Sequence, residues 1–398
     1  MPALSLSAAD LRASVFADLA PRIEAYTRGG GALIALHIGD THLAAPEAAR
    51  FAFFASGADA DPELYRYGAI HGTNALRDAC ARSLLAQHRG PPEIDPARNV
   101  LVGCGATHAI FCAARAVLDP GDEVLVAAPY WPLSVGILRA AGALPVEVPL
   151  TSRLYADRTL DAGAIFEAAV TSRTKALYLI TPNNPDGKLL SAAHLESIAR
   201  VARERNLWVI SDEVYADYTY DAPHVSMASL PGMAERTLCA YSFSKSHAIA
   251  GARVGFVVAP ASVIAIAQRV STHTVFNVPV IAQRVATAAV VSGAEWVLSA
   301  KAEYRAARDA AASALAGSRA RFNIAEGGSY LFLDFAELLG DRPLSHLLER
   351  AIDRGVLLTP GDAFGAGFER CARLCFTAAP REKVLEGISR LRRAMDDV

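Results

Sequence analysis

From about residue 99 the chain alternates short, continuously apolar runs with longer stretches of helical periodicity, and this alternation restricts the fold more than any other feature. The runs are Asn99–Gly103, Glu123–Pro129, Ala176–Pro182, Leu207–Asp212, Thr237–Ser242 and Arg253–Ala259. Several carry Val, Ile and Leu on both faces, so neither face suits water and each strand belongs in a sheet covered by helices on both sides. Between them, Ser191–Asn206 places Leu195, Ile198, Ala199 and Ala202 at helical spacing. The pattern predicts an α/β domain with a mostly parallel sheet. Downstream of about Ala282 come Ala-rich helical stretches, two strands (Gly327–Asp334 and Arg373–Thr377) and a closing amphipathic helix near Glu382–Met395. These suit a smaller α+β domain. A length of 398 residues fits two units, because single cores stop growing near roughly 250–300 residues. The expected division gives residues 46–284 to the large domain, and residues 1–45 with 285–398 to the small one.

Composition narrows the function by exclusion. A formal net charge of −2 offers no basic footprint for a phosphate backbone, so nucleic acid is not expected as a partner. No apolar run is long enough to span a bilayer, and the first 30 positions carry Asp10, Arg12, Asp18, Arg22 and Glu24 at helical intervals, which predicts a soluble cytoplasmic protein without an export signal. The six cysteines form no CxxC pair and the ten histidines no HExxH spacing. Reduced, buried thiols and no metal are the expectation.

Only five of the 39 basic Lys and Arg residues are lysines (Lys175, Lys188, Lys245, Lys301 and Lys383), which makes each one informative. Arginine keeps its proton, whereas a desolvated lysine amine can lose it and attack a carbonyl. Lys245 follows an apolar strand in Ser242-Phe243-Ser244-Lys245, with Arg253 and Gly255 close behind. Such a lysine suits a phosphorylated aldehyde: the amine forms an imine while hydroxyls and a guanidinium hold the phosphate. Taken alone it could be a loop lysine over the sheet.

Three further strand ends add chemistry. Ser211-Asp212-Glu213-Val214-Tyr215 puts a carboxylate at the edge where open α/β sheets bind ligands, able to pair with a protonated ring nitrogen; singly it reads as a helix N-cap. Asn183-Asn184-Pro185-Asp186-Gly187 forces a sharp turn that exposes the Asn184 amide to a phenolate oxygen, although a plain turn needs no function. Leu101 through Ala109 reads as a strand, a small-residue turn (Gly103-Cys104-Gly105) and a helix start with backbone N–H groups available to an anion, by itself a weak signal.

Together these segments resemble the class I/II aminotransferases of pyridoxal-phosphate fold type I, from about Ile38 to Phe376. The resemblance implies a large cofactor-binding domain with a mostly parallel seven-stranded sheet between helices. It also implies pyridoxal 5′-phosphate held on Lys245 as a Schiff base, with Lys245 moving the proton between substrate and cofactor carbons. Asp212 then matches the pyridine-nitrogen partner, and Tyr215 and Asn184 the partners of the ring hydroxyl. Ser242, Ser244, Arg253, Ala106, Thr107 and Tyr67 match phosphate ligands, Tyr67 reaching in from the second subunit of a homodimer. Trp131 matches the aromatic stacked on the ring, Arg373 the grip on the substrate carboxylate, and Gly39 the loop that closes over the substrate. The segments Ser271–Val280 and Asp40–Leu43 are expected to help line the pocket. Asp186 departs from the Thr or Ser of many relatives, and His108 and His247 are read as structural.

The activity so implied is transfer of an amino group between an L-amino acid and a 2-oxo acid. Elimination, cyclisation or oxidation of an amino acid would use the same anchors, because the cofactor breaks the bond and the pocket chooses which one. An NAD-dependent dehydrogenase, suggested by Gly103-Cys104-Gly105, lacks the third glycine of its fingerprint, where His108 stands. A DNA-binding regulator carrying this domain would need a binding segment within the first 30 or so residues.

Overall fold

The computed structural model describes residues 11, 15–55 and 61–398. The expectations that rest on Asp10, Arg12 and the rest of the first 14 positions apart from Leu11 lie outside these residues. In chain order the strands are β1 (Ile34–Ala35), β2 (Val100–Cys104), β3 (Glu123–Ala128), β4 (Leu144–Pro149), β5 (Thr174–Ile180), β6 (Trp208–Asp212), β7 (Thr237–Ser242), β8 (Val254–Val258), β9 (Tyr330–Asp334), β10 (Val356–Leu357), β11 (Thr359–Pro360) and β12 (Cys371–Cys375).

Seven of them form one sheet in the order β2-β8-β7-β6-β5-β3-β4. Strands β4, β3, β5, β6 and β7 run parallel, and β8 lies antiparallel to both β7 and β2. The six apolar runs of the sequence all become strands of this sheet. Edge strand β4 escapes an apolar-run search because it carries Pro145, Glu147 and Pro149 and is buried at one position out of six. Proline and charge are tolerated where one side of a strand has no neighbour.

Alternate residues of each strand enter different cores. Val124, Val126, Ala128, Tyr178, Ile180 and Ile210 pack with the helices Gly105–Val117 and Ala261–Thr272 on one face. Leu125, Ala127, Leu177, Leu179 and Val209 pack with the helix Ala192–Glu204 on the other, where Val100, Val102 and Phe256 meet the helices Asn74–Ala86 and Val280–Ser292. Ser191 caps its helix by accepting from the His194 N–H while the His194 ring accepts from the Ser191 N–H, the reciprocal arrangement that fixes a helix start.

A separate core gathers Leu19, Ile34 and Leu36 with residues from Ala300 to Met395, around the antiparallel set β11-β12-β9 and the helices Ala294–Leu315, Ser345–Asp353 and Arg381–Asp396. Pairing of β1 with β10 ties the N-terminal segment to it. Helix Val280–Ser292 stays with the sheet through Val285, Ala286 and Ala289. No helix among the described residues is long and apolar enough to cross a membrane.

Candidate active site

Parallel strands send their carboxyl ends to one edge, and the antiparallel β8 starts at that same edge. Ala106 and Thr107 therefore follow β2, Trp131 follows β3, Asn184 follows β5, Tyr215 follows β6, Ser244 and Lys245 follow β7, and Arg253 immediately precedes β8. The second core adds Arg373 and Tyr330 from β12 and β9, with Gly39 from the N-terminal segment. All of these line one cavity of about 290 Å³, together with Asp212, Ser242, Leu133, Ile180, Val214 and Ala250, whereas Tyr67 does not.

Lys245 donates to the Gly39 carbonyl oxygen. Burial lowers its pKa, with Arg373 and Arg253 adding to the fall against the pull of the neighbouring Cys375 and Asp40. The result is an amine closer to its reactive neutral form than a surface lysine. Asp212 is 3% exposed. Burial pushes its carboxyl up to about 7, even though the Val214 N–H and the Tyr178 hydroxyl, each 3.2 Å away, favour the anion.

Arg373 is 8% exposed, and its partners are neutral: Asn184 Oδ1 at 2.8 Å, the His37 carbonyl at 2.7 Å and Thr359 Oγ1 at 3.3 Å. Its guanidinium lies 4.2 Å from the Tyr330 ring centre and 5.2 Å from that of Phe364, and its buried Nε has no partner among the described residues. The same cation and burial, burial being the larger effect, depress the His37 imidazole to about 4.

Also lining the cavity, Arg253 sits in the left-handed region at φ 52°, a conformation a long side chain adopts only where its surroundings enforce it. Glycines make room for it. A Cβ on Gly105, itself at φ +75°, would lie 2.5 Å from Arg253 Nη2, and one on Gly255 would lie 2.4 Å from the Ala106 nitrogen. Guanidinium, helix start and the Ser242 and Ser244 region thus converge.

A family model described as aminotransferase class I and II matches residues 32–391. The chain belongs to the class I and II aminotransferases. This aminotransferase is 35% identical to an arginine–pyruvate transaminase of Pseudomonas aeruginosa, over 75% of each chain. It is 34% identical to a probable aspartate/prephenate aminotransferase of Aquifex aeolicus, over 84% of each. Among solved structures, an aspartate aminotransferase single mutant of Thermus thermophilus superposes with a TM-score of 0.89 at 28% identity, covering 99% of this chain and 100% of that one. An aromatic aminotransferase of Pyrococcus horikoshii gives 0.84 at 31%, covering 95% and 99%.

The residues of this aminotransferase fit pyridoxal 5′-phosphate on structural grounds. A buried carboxyl whose partners are only an N–H and a phenol suits a cationic ring nitrogen, and the glycine-lined cradle at Arg253 suits a phosphate. The desolvated Lys245 amine lines the same cavity.

Some positions refine the sequence reading. Asn184 is buried rather than exposed, and its carbonyl oxygen is engaged by Arg373, which leaves its NH₂ as the group available to a ligand. The Tyr215 hydroxyl lies 2.6 Å from that of Tyr330. Tyr67 is 86% exposed and lines another, wider depression with Gly68, Val280 and Arg284. Neither residues 271–280 nor Asp40–Leu43 line the site cavity: the first two continue helix Ala261–Thr272, and Phe276 packs edge-on against Tyr67 at 5.1 Å. His108 accepts from the Cys104 N–H at 3.2 Å, and His247 Nδ1 lies 2.7 Å from Ser246 Oγ. Neither Tyr330 nor Tyr178 carries a functional signal in the sequence. Both lie inside apolar strands, where an aromatic reads as core, and only the pairing of β9 with β12 brings Tyr330 beside Arg373.

Proposed function

We propose that this chain is a pyridoxal-5′-phosphate-dependent aminotransferase acting on an L-amino acid and a 2-oxo acid, with Lys245 as both the covalent attachment point and the proton carrier. The observation that carries the reading is the convergence in one cavity of Lys245, Asp212, Arg253 and Arg373, with Asp212 and Arg373 buried and hydrogen-bonded to neutral groups among the described residues. When bound, the cofactor supplies an electron sink that stabilises a carbanion at the substrate α-carbon.

The chain's own groups do the rest. Arg373 would grip the substrate carboxylate through its two-pronged donor face, and Asn184, whose Oδ1 it holds at 2.8 Å, would have its NH₂ left to donate to the cofactor ring oxygen, as would the Tyr215 hydroxyl. Asp212 keeps the ring nitrogen protonated. Arg253, Ser242, Ser244 and the N–H groups of Ala106 and Thr107 fix the phosphate, and Trp131 covers the ring. Lys245 would hold the cofactor through Nζ and, as a free amine, would carry the proton that leaves the substrate α-carbon. Its lowered pKa lets it act as a base near neutral pH.

The depression around Tyr67, with Phe276 40% and Val291 67% exposed beside it, supports a homodimer in which Tyr67 of one subunit serves the phosphate of the other. The relatives are named for arginine, aspartate and prephenate, so amino-group transfer is what they share. The purified protein is expected to carry a visible absorbance band that an amino acid bleaches and a 2-oxo acid restores. Ammonia release without an oxo-acid acceptor would instead indicate elimination or oxidation.

A further inference from the structure

Tyr330 touches three parts of the site at once. Its ring faces the Arg373 guanidinium at 4.2 Å, and its hydroxyl is 2.6 Å from that of Tyr215. It also closes the space over Gly39, where a Cβ would fall 1.9 Å from the Tyr330 oxygen, and Gly39 is the residue whose carbonyl accepts from Lys245. The register of β9 against β12 produces this placement. Tyr330 pairs with Cys375, so Arg373, two residues along on the same face, is its diagonal neighbour. With 1% of its surface exposed, the ring is held there by packing.

A phenol has a single proton. Tyr215 can aim its own into the cavity only if the proton in the 2.6 Å contact comes from Tyr330. Burial raises both phenols, so both keep their protons near neutral pH, and in their contact one hydroxyl donates while the other accepts. Donation from Tyr330 leaves the Tyr215 proton free for a second acceptor. The ring contact is also of the stronger kind, since a cation over an aromatic face gains most where water is excluded.

We propose that Tyr330 is a positioning residue with two separable duties: its ring holds the Arg373 guanidinium toward the substrate carboxylate, and its hydroxyl donates to Tyr215 so that the Tyr215 proton points at the cofactor ring oxygen. This rests on the cofactor reading above, and the test keeps the two apart. Tyr330→Phe removes the hydroxyl and keeps the aromatic face, whereas Tyr330→Leu removes both and keeps an apolar filling.

In the full-length protein loaded with pyridoxal 5′-phosphate, Y330F is expected to leave KM for the best amino acid of a half-reaction panel within about twofold. It should raise the pH midpoint of the bound cofactor's visible spectrum by at least about half a unit, because a worse-oriented Tyr215 leaves the ring oxygen more basic. Y330L is expected to show the same spectral shift and, in addition, a KM raised roughly tenfold. A Y330F midpoint equal to wild type, measured beside a Tyr215→Phe control that does shift, overturns the hydroxyl duty. Equal KM in Y330F and Y330L overturns the ring duty. If Y330L does not fold by circular dichroism, Y330M takes its place in the KM comparison. A wild-type protein with no cofactor band would instead sink the underlying reading.

Discussion

Asp212 holds its proton to about pH 7 in the folded chain without cofactor, against 3.8 for an ordinary aspartate. The native state then binds more protons than the unfolded state across that interval, so the stability it contributes is fully present below about pH 4 and lost by about pH 7. Cofactor-stripped wild type should lose unfolding free energy relative to Asp212→Asn as pH rises through this window, in paired denaturant titrations. A constant difference would mean that Asp212 is not titrating there. Lys245→Ala should abolish the cofactor band and lower kcat by about 10²–10⁴, the range for a positioned proton carrier. Arg373→Leu removes charged hydrogen bonds worth about 1.5–3 kcal/mol each, so kcat/KM for amino acids should fall at least tenfold while cofactor loading persists. Lysine scarcity and strand-end placement made Lys245 and Asp212 legible in the sequence. Tyr330 was not legible, because its part depends on which residue of β12 it pairs with, and no local pattern encodes that.

The strand-to-helix turn after β2 works only with β8 packed against it. Gly255 allows the β8 backbone to approach the Ala106 nitrogen, and Gly105 lets the Arg253 guanidinium lie across the helix start. Gly255→Ala should push these elements apart, because the added carbon meets backbone that cannot rotate away. The expected result is a Kd for pyridoxal 5′-phosphate raised by roughly tenfold or more, with a much smaller change for unphosphorylated pyridoxal, since the phosphate contributes most through the helix N–H groups and Arg253. Equal weakening of both ligands would count against this cradle. At this scale the apolar runs announced six strands to within about two residues, because strands buried on both faces must be apolar throughout. Strand β4 stayed hidden, as its edge position lets it keep Pro145, Glu147 and Pro149, and β1, β10 and β11 have two residues each, too few for any periodicity.

The site draws on two packed cores, with Lys245 and Asp212 set on the sheet edge and Arg373 and Tyr330 on the antiparallel set. We propose a division near residues 46–284 against 1–45 with 285–398, with helix Val280–Ser292 crossing it while packed on the sheet. The proposed second subunit completes the phosphate site, so mixing subunits of Lys245→Ala with subunits of Tyr67→Ala should form hybrid dimers holding one intact site and regain activity that neither variant has alone. Failure to regain activity in a mixture shown to exchange subunits would place Tyr67 outside the site. The proposed chemistry depends on which amine holds the cofactor, and the direct measurement is borohydride reduction of the loaded protein followed by tryptic mass mapping. A reduced linkage at Lys245 blocks cleavage there, so the cofactor mass should appear on the single peptide spanning residues 237–253. Finding the tag on Lys188, Lys301 or any other residue, or finding none, would contradict the account.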